Sequence, residues 1–133
     1  MTVATPKPVQ APEQTSTLKP SEALRLGRLI APQNIVGSMV KVKGDTLSAC
    51  ALGAMALAYG LPVDLLVGTG MLSIDSWRDA KGAMPMIEYP CSCEMFADKA
   101  YLPSVIVHVN DSHIARGEMT EADLVDHLES YGL

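Results

Sequence analysis

Aromatic side chains are scarce in this sequence, which contains one Phe, one Trp and four Tyr among 133 residues. A core must therefore be filled mainly by aliphatic side chains and by Met, of which there are eight. Cys is also rare: three residues, an odd number, with no apolar signal segment at the N-terminus. We therefore expect reduced thiols and a cytoplasmic protein, or one assembled into a particle after cytoplasmic synthesis.

Long apolar runs and dense positive charge are lacking as well. Residues 47–72 carry one charge, but Gly60 and Pro62 leave only about 13 uninterrupted residues, too few to cross a bilayer. Residues 1–44 hold six Lys or Arg without interleaved aromatic side chains, which does not predict nucleic-acid binding. We therefore expect neither a membrane nor a nucleic acid as partner.

The N-terminal residues differ in composition from the rest of the chain. Residues 1–20 hold four of the nine prolines among Thr, Gln and Lys, and almost no large apolar side chains. This composition predicts an extended arm. Residues 21–133 are then long enough for a single globular domain.

The stretch 48–60, SACALGAMALAYG, contains no charged residue. Ala49, Gly53 and Ala56 form a stripe of small side chains at helical spacing, which allows another backbone to come close. We predict a helix over 48–60, apolar on all faces and buried at the centre of the domain, and we assign Cys50 to the core.

A second helix is predicted to begin at Ser21, as its N-cap, and to end before Pro32. Arg25 and Arg28 are assigned to its exposed side. Its buried side is predicted from four large apolar residues: Leu24, Leu26, Leu29 and Ile30.

The remaining segments favour a mainly α fold with a minor β or extended segment. Residues 40–43, VKVK, alternate as a short strand does. Residues 102–110 fit a helix by spacing and a strand by their β-branched side chains, and we favour the helix. Thr120 and Asp123 resemble a capping box, which predicts a helix over 121–131.

Charge is segregated along the chain. Residues 1–44 have six Lys or Arg against two acids, whereas residues 118–133 have five acids and no Lys or Arg. Such asymmetry favours head-to-tail contact between copies through the arm 1–20 and the acidic helix 121–131. The alternative is a solvated C-terminal helix with chance asymmetry.

Two cysteines and two histidines form a candidate zinc set: Cys91, Cys93, His108 and His113. Thiolates and imidazoles are the ligands of tetrahedral zinc sites, although one residue separates the cysteines where two to four are usual. The alternative is two thiols without function and two histidines in local hydrogen bonds. A zinc-stabilised binding module is therefore the second functional hypothesis.

A thiol-dependent enzyme is the third hypothesis. It would use Cys91 or Cys93 as nucleophile, His108 or His113 as base and Asp111 to orient the base. No phosphate-binding loop, nucleophile elbow or HExxH motif accompanies these residues. We therefore expect no enzymatic activity and assign no catalytic residue.

Four segments together resemble a family of short bacterial and phage-borne proteins with the motifs SEAxRLG, CALGA, CPxC and HLNDxH…TRExIADWLE. The matching segments are SEALRLGRLIAPQ (21–33), SACALGAMALAYG (48–60), CSC (91–93) and HVNDSHIARGEMTEADLVDHLESYG (108–132). The resemblance implies one compact, mostly helical domain and no particular activity. Here CSC replaces CPxC, and Met119 stands where the family has Trp.

These observations lead to one first hypothesis. Candidate catalytic groups lack supporting motifs, and charge is segregated along the chain. We expect a non-enzymatic interaction or self-assembly protein, such as a phage or filament component, whose arm 1–20 contacts neighbouring copies.

Overall fold

Helices dominate the fold. A computed structural model describes residues 18–33, 38–69, 72–89 and 99–133. In chain order the elements are α1 (Pro20–Ile30), β1 (Val40–Lys43), β2 (Thr46–Ala49), α2 (Ala51–Ala58), α3 (Val63–Leu66), α4 (Ile74–Ala80), β3 (Met86–Ile87), β4 (Ala100–Tyr101), α5 (Leu102–His108), a π-helix (Val109–Ile114) and α6 (Glu121–Ser130). Two antiparallel two-stranded sheets, β1–β2 and β3–β4, are the minor β component. The predicted mainly α class is confirmed.

The central helix is shorter than predicted. Strand β2 occupies residues 46–49, paired with β1 across the two-residue turn Gly44-Asp45. Helix α2 then begins at Ala51, because the Cys50 Sγ accepts the backbone N–H of Gly53 at 3.3 Å and caps the helix. The predicted helix over 48–60 is therefore wrong in its first turn, whereas the burial of Cys50 is confirmed.

The predicted end of the central helix is confirmed. Gly60 has a φ of 91°, a left-handed conformation that suits glycine. The N–H groups of Gly60 and Leu61 donate to the carbonyls of Leu57 and Ala56 at 3.0 and 3.1 Å. These bonds satisfy carbonyl groups that the helix would otherwise leave unpaired.

The core is built on a very close contact between α1 and α2. A Cβ placed on Gly27 would lie 1.8 Å from the carbonyl oxygen of Ala54, so no larger residue fits there without a shift of backbone. Ala23 and Leu24 on the same side of α1 are fully buried. A Cβ on Gly53 would likewise lie 1.9 Å from the carbonyl oxygen of Met39. Small residues therefore set the distances between the central elements.

Because of this close contact, α1 buries a different side from the one predicted. Of its four large apolar residues, Leu24 is buried, whereas Leu26, Leu29 and Ile30 are 41%, 85% and 47% exposed. The physical reason is size: α1 approaches α2 so closely that its small residues face the core. The predicted start was wrong too, because the N-cap is Lys19, whose N–H donates to Glu22 Oε1 at 2.8 Å.

The C-terminal helix agrees with its prediction. Thr120 and Asp123 form the capping box: the Thr120 N–H donates to Asp123 Oδ2 at 2.9 Å, and the Asp123 N–H donates to Thr120 Oγ1 at 3.1 Å. Leu124, Val125 and Leu128 are buried. The predicted helix over 121–131 corresponds to α6.

Residues 102–108 are helical, as favoured, and the helix continues into the π-helix. The buried side chain of Asn110 accepts the backbone N–H of Ala51 at 3.0 Å through its Oδ1. The C-terminal part of the chain thereby supplies an acceptor for an N–H group that the first turn of α2 would leave unpaired.

The predicted arm is described only at its end. Residues 1–17 lie outside the described residues, and Leu18 packs against the core, where its carbonyl accepts the Tyr59 hydroxyl at 3.3 Å. The point at which the arm joins the domain is therefore fixed. In the part of the chain that the structure describes, no helix combines the length and apolar character needed to cross a bilayer.

Candidate functional site

A groove of about 470 Å³ runs between α1 and α6. Its lining combines apolar side chains with a charged rim: Leu24, Arg25, Arg28, Leu29, Glu121, Ala122, Val125 and Asp126. Leu24 and Val125 are buried at its base, whereas Leu29 is almost fully exposed. Exposed apolar surface that is rimmed by polar and charged side chains is a feature of interaction sites.

Arg28 forms part of the groove and is not on the exposed side of α1, contrary to prediction. Its guanidinium donates to both carboxylate oxygens of Glu121, at 2.8 and 2.5 Å, and the two side chains are only 21% and 14% exposed. The same group donates to the carbonyls of Ala31 and Ala49 at 3.0 and 2.8 Å. Arg28 therefore fixes the ends of α1 and β2 to the first turn of α6.

A second ion pair spans the same two helices nearer the arm. Arg25 Nη1 lies 2.6 Å from Glu129 Oε2, with side chains 54% and 43% exposed. The hydrogen bond from Arg25 lowers the pKa of Glu129. Two of the basic residues and two of the acids that suggested head-to-tail contact thus pair within one chain.

A second hollow lies next to the groove, at the start of α1. Arg25 also lines a neighbouring hollow of about 280 Å³, with Lys19, Ser21, Glu22, Glu129, Gly132 and Leu133. Lys19, which precedes α1, thus lies at this second hollow and not in the groove itself.

The histidines of the candidate zinc set lie together. The rings of His108 and His113 are 5.0 Å apart between centroids, at an interplanar angle of 86°, and both residues are buried. Cys91 and Cys93 lie outside the described residues. Among the residues that are described, no group of three or more His, Cys, Asp or Glu side chains is placed to hold a metal ion.

Each imidazole has a polar neighbour at its Nδ1. His113 Nδ1 lies 2.6 Å from Glu118 Oε1, and His108 Nδ1 lies 3.4 Å from the hydroxyl of Ser112. Hydrogen bonds from Arg116 and from His113 lower the pKa of Glu118 to about 2, whereas burial lowers the pKa of His108. Glu118 is therefore ionised at neutral pH beside His113.

The carboxylate beside His113 is not the one that the enzyme hypothesis named. Asp111 accepts a hydrogen bond from the side chain of Asn110 at 3.0 Å, and Glu118 orients the imidazole of His113 instead. The described thiol, Cys50, is buried, which raises its pKa and lowers its reactivity. The suggested nucleophiles, Cys91 and Cys93, lie outside the described residues.

Sequence reasoning missed the groove and Glu118. Helical spacing assigned Leu29 to the core, and the separation of five residues between His113 and Glu118 is not an α-helical contact. The sequence of α1 did contain a signal for the groove. The helix has more apolar residues than one buried side needs, with small residues on one side and large apolar residues on another. Comparison of the chain with protein-family models, curated proteins and solved structures finds no significant match, so the motif resemblance stays a prediction.

Proposed function

We propose that this protein is a non-enzymatic self-assembly protein and that the α1–α6 groove receives a second copy of the same chain. The observation that carries the proposal is Leu29, which is 85% exposed at the edge of the groove. Leaving a leucine in water forgoes about 2 kcal/mol of burial free energy, which association recovers.

The chemistry of this surface is self-complementary. A protruding apolar residue, Leu29, lies beside an apolar hollow whose base is Leu24 and Val125. In a two-fold pair the same patch faces itself, so Leu29 of each copy enters the groove of the other. Leu26, three residues before Leu29 and 41% exposed, adds apolar surface beside Leu29 on α1.

The charges around the groove favour apolar association over attraction between opposite charges. Arg28 and Arg25 are paired with Glu121 and Glu129 of their own chain. Few opposite charges on this face therefore remain for a neighbour. Association through the groove should persist at high salt, whereas head-to-tail attraction of exposed charges would be screened.

The arm 1–20 supplies the second contact in this proposal. Lys19, at its C-terminal end, lines the hollow that shares Arg25 with the groove, so this end of the arm lies near the proposed interface. The arm then reaches along the neighbouring copy and joins pairs into a larger assembly, together with the acidic helix 121–131. A phage or filament component is one kind of protein that would assemble through two such contacts.

The test is the mass of the full-length protein in solution, measured by light scattering across a range of concentrations at low and high salt. We expect assemblies larger than the 14.2 kDa chain that persist at high salt. Leu29→Asp should yield monomers, because it places a charge in the apolar contact. Ile74→Asp is the matched control, since Ile74 is an exposed apolar residue on α4, outside the groove lining.

The outcomes separate the two contacts. A wild-type monomer at every concentration would contradict self-assembly, and an unchanged assembly in Leu29→Asp would contradict the groove. Deletion of residues 1–17 leaves Lys19 and α1 intact and should reduce a larger assembly to the groove-mediated pair. An unchanged particle size after this deletion would contradict the role of the arm.

A further inference from the structure

One carboxylate in the lining of the α1–α6 groove remains when the ion pairs of this surface are assigned. Every lining residue comes from α1 or α6, and the charged ones are Arg25, Arg28, Glu121 and Asp126. Arg28 is paired with Glu121, and Arg25, although it also interacts electrostatically with Asp126, lies 2.6 Å from the carboxylate of Glu129. Among the described residues no ion pair includes Asp126, which is exposed.

We infer, on the basis of the proposed function, that Asp126 limits the affinity of the groove-mediated pair at neutral pH and that protonation of this carboxylate strengthens the pair. Leu29 supplies the contact, and Asp126 determines how tightly and at which pH two copies associate.

The position of Asp126 explains why association disfavours its charge. It follows Val125, which is buried at the base of the groove, and lies one helical turn after Ala122. When Leu29 of the second copy fills the groove, the carboxylate loses part of its water. The apolar side chain that replaces this water donates no hydrogen bond, so the ionised form becomes less favourable.

Two-fold symmetry increases the effect. In a two-fold pair each copy brings its own Asp126 to the same contact. The ion pairs Arg28–Glu121 and Arg25–Glu129 are each neutral, so the charge that each surface presents to the other is negative. The chain has a formal net charge of −5 at pH 7, which adds a weaker, long-range repulsion.

The sign of the pH dependence follows from this arrangement. Because association disfavours the ionised carboxylate, the pair takes up protons as it forms and becomes tighter as pH falls through the range in which carboxylates titrate. If the neighbouring copy instead supplied a cation to Asp126, the pair would lose an attraction in acid and the sign would be opposite.

The experiment measures, by light scattering, the concentration of full-length protein at which half of the chains are associated. Asp126→Asn removes the charge and keeps the size of the side chain, and at pH 7 and low salt we expect this concentration to fall by about tenfold. Asp79→Asn is the matched control. It makes the same change in net charge at an exposed position on α4, outside the groove lining, and should change this concentration little.

Salt and acid should both reduce the difference between the wild type and Asp126→Asn. Salt screens the repulsion between the two carboxylates. Between pH 7 and about pH 4 the wild type gains protons on Asp126 that the variant cannot take up, so the two proteins should converge. Circular dichroism at each pH checks that both remain folded.

The outcomes separate this inference from the proposed function. Equal association of the wild type and Asp126→Asn at pH 7, weaker association of the variant, or a difference that grows in acid would overturn the role of Asp126. In each of these cases, loss of association in Leu29→Asp would still support the groove. If neither the wild type nor Asp126→Asn associated at any pH, self-assembly and the role of Asp126 would both be wrong.

Discussion

The two sides of α1 differ in the size of the residues they carry. Toward α2 it presents Ala23 and Gly27, and the backbones nearly touch, whereas toward solvent it presents Leu26, Leu29 and Ile30. On hydrophobicity alone the second side is the better core face. The structure buries the side that permits the closest approach of two helices, which shows that fit, and not apolar content alone, decides which face enters the core.

Helix α1 makes two different kinds of contact, a tight one with α2 and an open one with α6. Contact with α2 has no room for another side chain, whereas contact with α6 leaves an open groove whose rim is held by ion pairs. A tight contact supplies stability, and an open contact supplies a surface for recognition. Substitutions on the two sides should therefore separate stability from assembly.

The largest expected effect is that of Gly27→Ala on the free energy of unfolding. The new Cβ would lie 1.8 Å from the Ala54 carbonyl, so the helices must move apart. We expect a loss of about 3 kcal/mol, which exceeds the roughly 1 kcal/mol that Ala gains over Gly in helix propensity. Urea denaturation at a concentration where the chain is monomeric measures it.

The control for this prediction lies on the opposite side of the same helix. Leu29→Ala should change the free energy of unfolding by less than about 0.5 kcal/mol, since Leu29 is almost fully exposed. If Leu29→Ala proved as destabilising as Gly27→Ala, the distinction between the two sides would fail.

A smaller effect is expected from Arg28→Met, which removes the charge of Arg28 but keeps much of its volume. Glu121, 14% exposed, would lose its partner, and the carbonyls of Ala31 and Ala49 would lose a donor. We expect a loss of about 2 kcal/mol in the free energy of unfolding. In a double-mutant cycle, Arg28→Met with Glu121→Gln should cost less than the sum of the single variants. Strict additivity would show that the two side chains are not coupled.

The smallest effect concerns the exposed pair Arg25–Glu129. Since the pKa of Glu129 is lowered from 4.5 by its hydrogen bond with Arg25, its contribution to stability is present above pH 4.5 and is lost as pH falls through the lowered value. Wild type should therefore melt slightly above Glu129→Gln at neutral pH and low salt. This difference should vanish in strong acid and at high salt. A difference that grows in acid would contradict the assignment.

Local chemistry made parts of this fold predictable. Thr120 and Asp123 lie three residues apart and bond to each other's backbone, so the start of α6 could be predicted from a short window. Gly60 ended α2 for an equally local reason, its left-handed backbone. The alternation in residues 40–43 identified β1.

The rest depended on contacts between distant residues or on unusual backbone. Helix α2 starts late because residues 46–49 pair with β1; the alternation on both sides of Gly44-Asp45 was a hairpin signal. The exposure of Leu29 depends on how closely α1 approaches α2. The pairing of His113 with Glu118 depends on the turn that follows the π-helix, in which the Glu118 N–H donates to the His113 carbonyl, and apolar periodicity does not reveal such a turn.

The hydrogen bond from the Ala51 N–H to Asn110 has a consequence for the order of folding. Its two partners are 59 residues apart in the chain, so it can form only after a long loop has closed. Helix α2 is only eight residues long and has little stability in isolation. Its first turn should therefore form together with the C-terminal part of the chain, and the Ala51 amide should exchange its hydrogen only on global unfolding. A nascent chain that ends before residue 110 would lack a stable central helix.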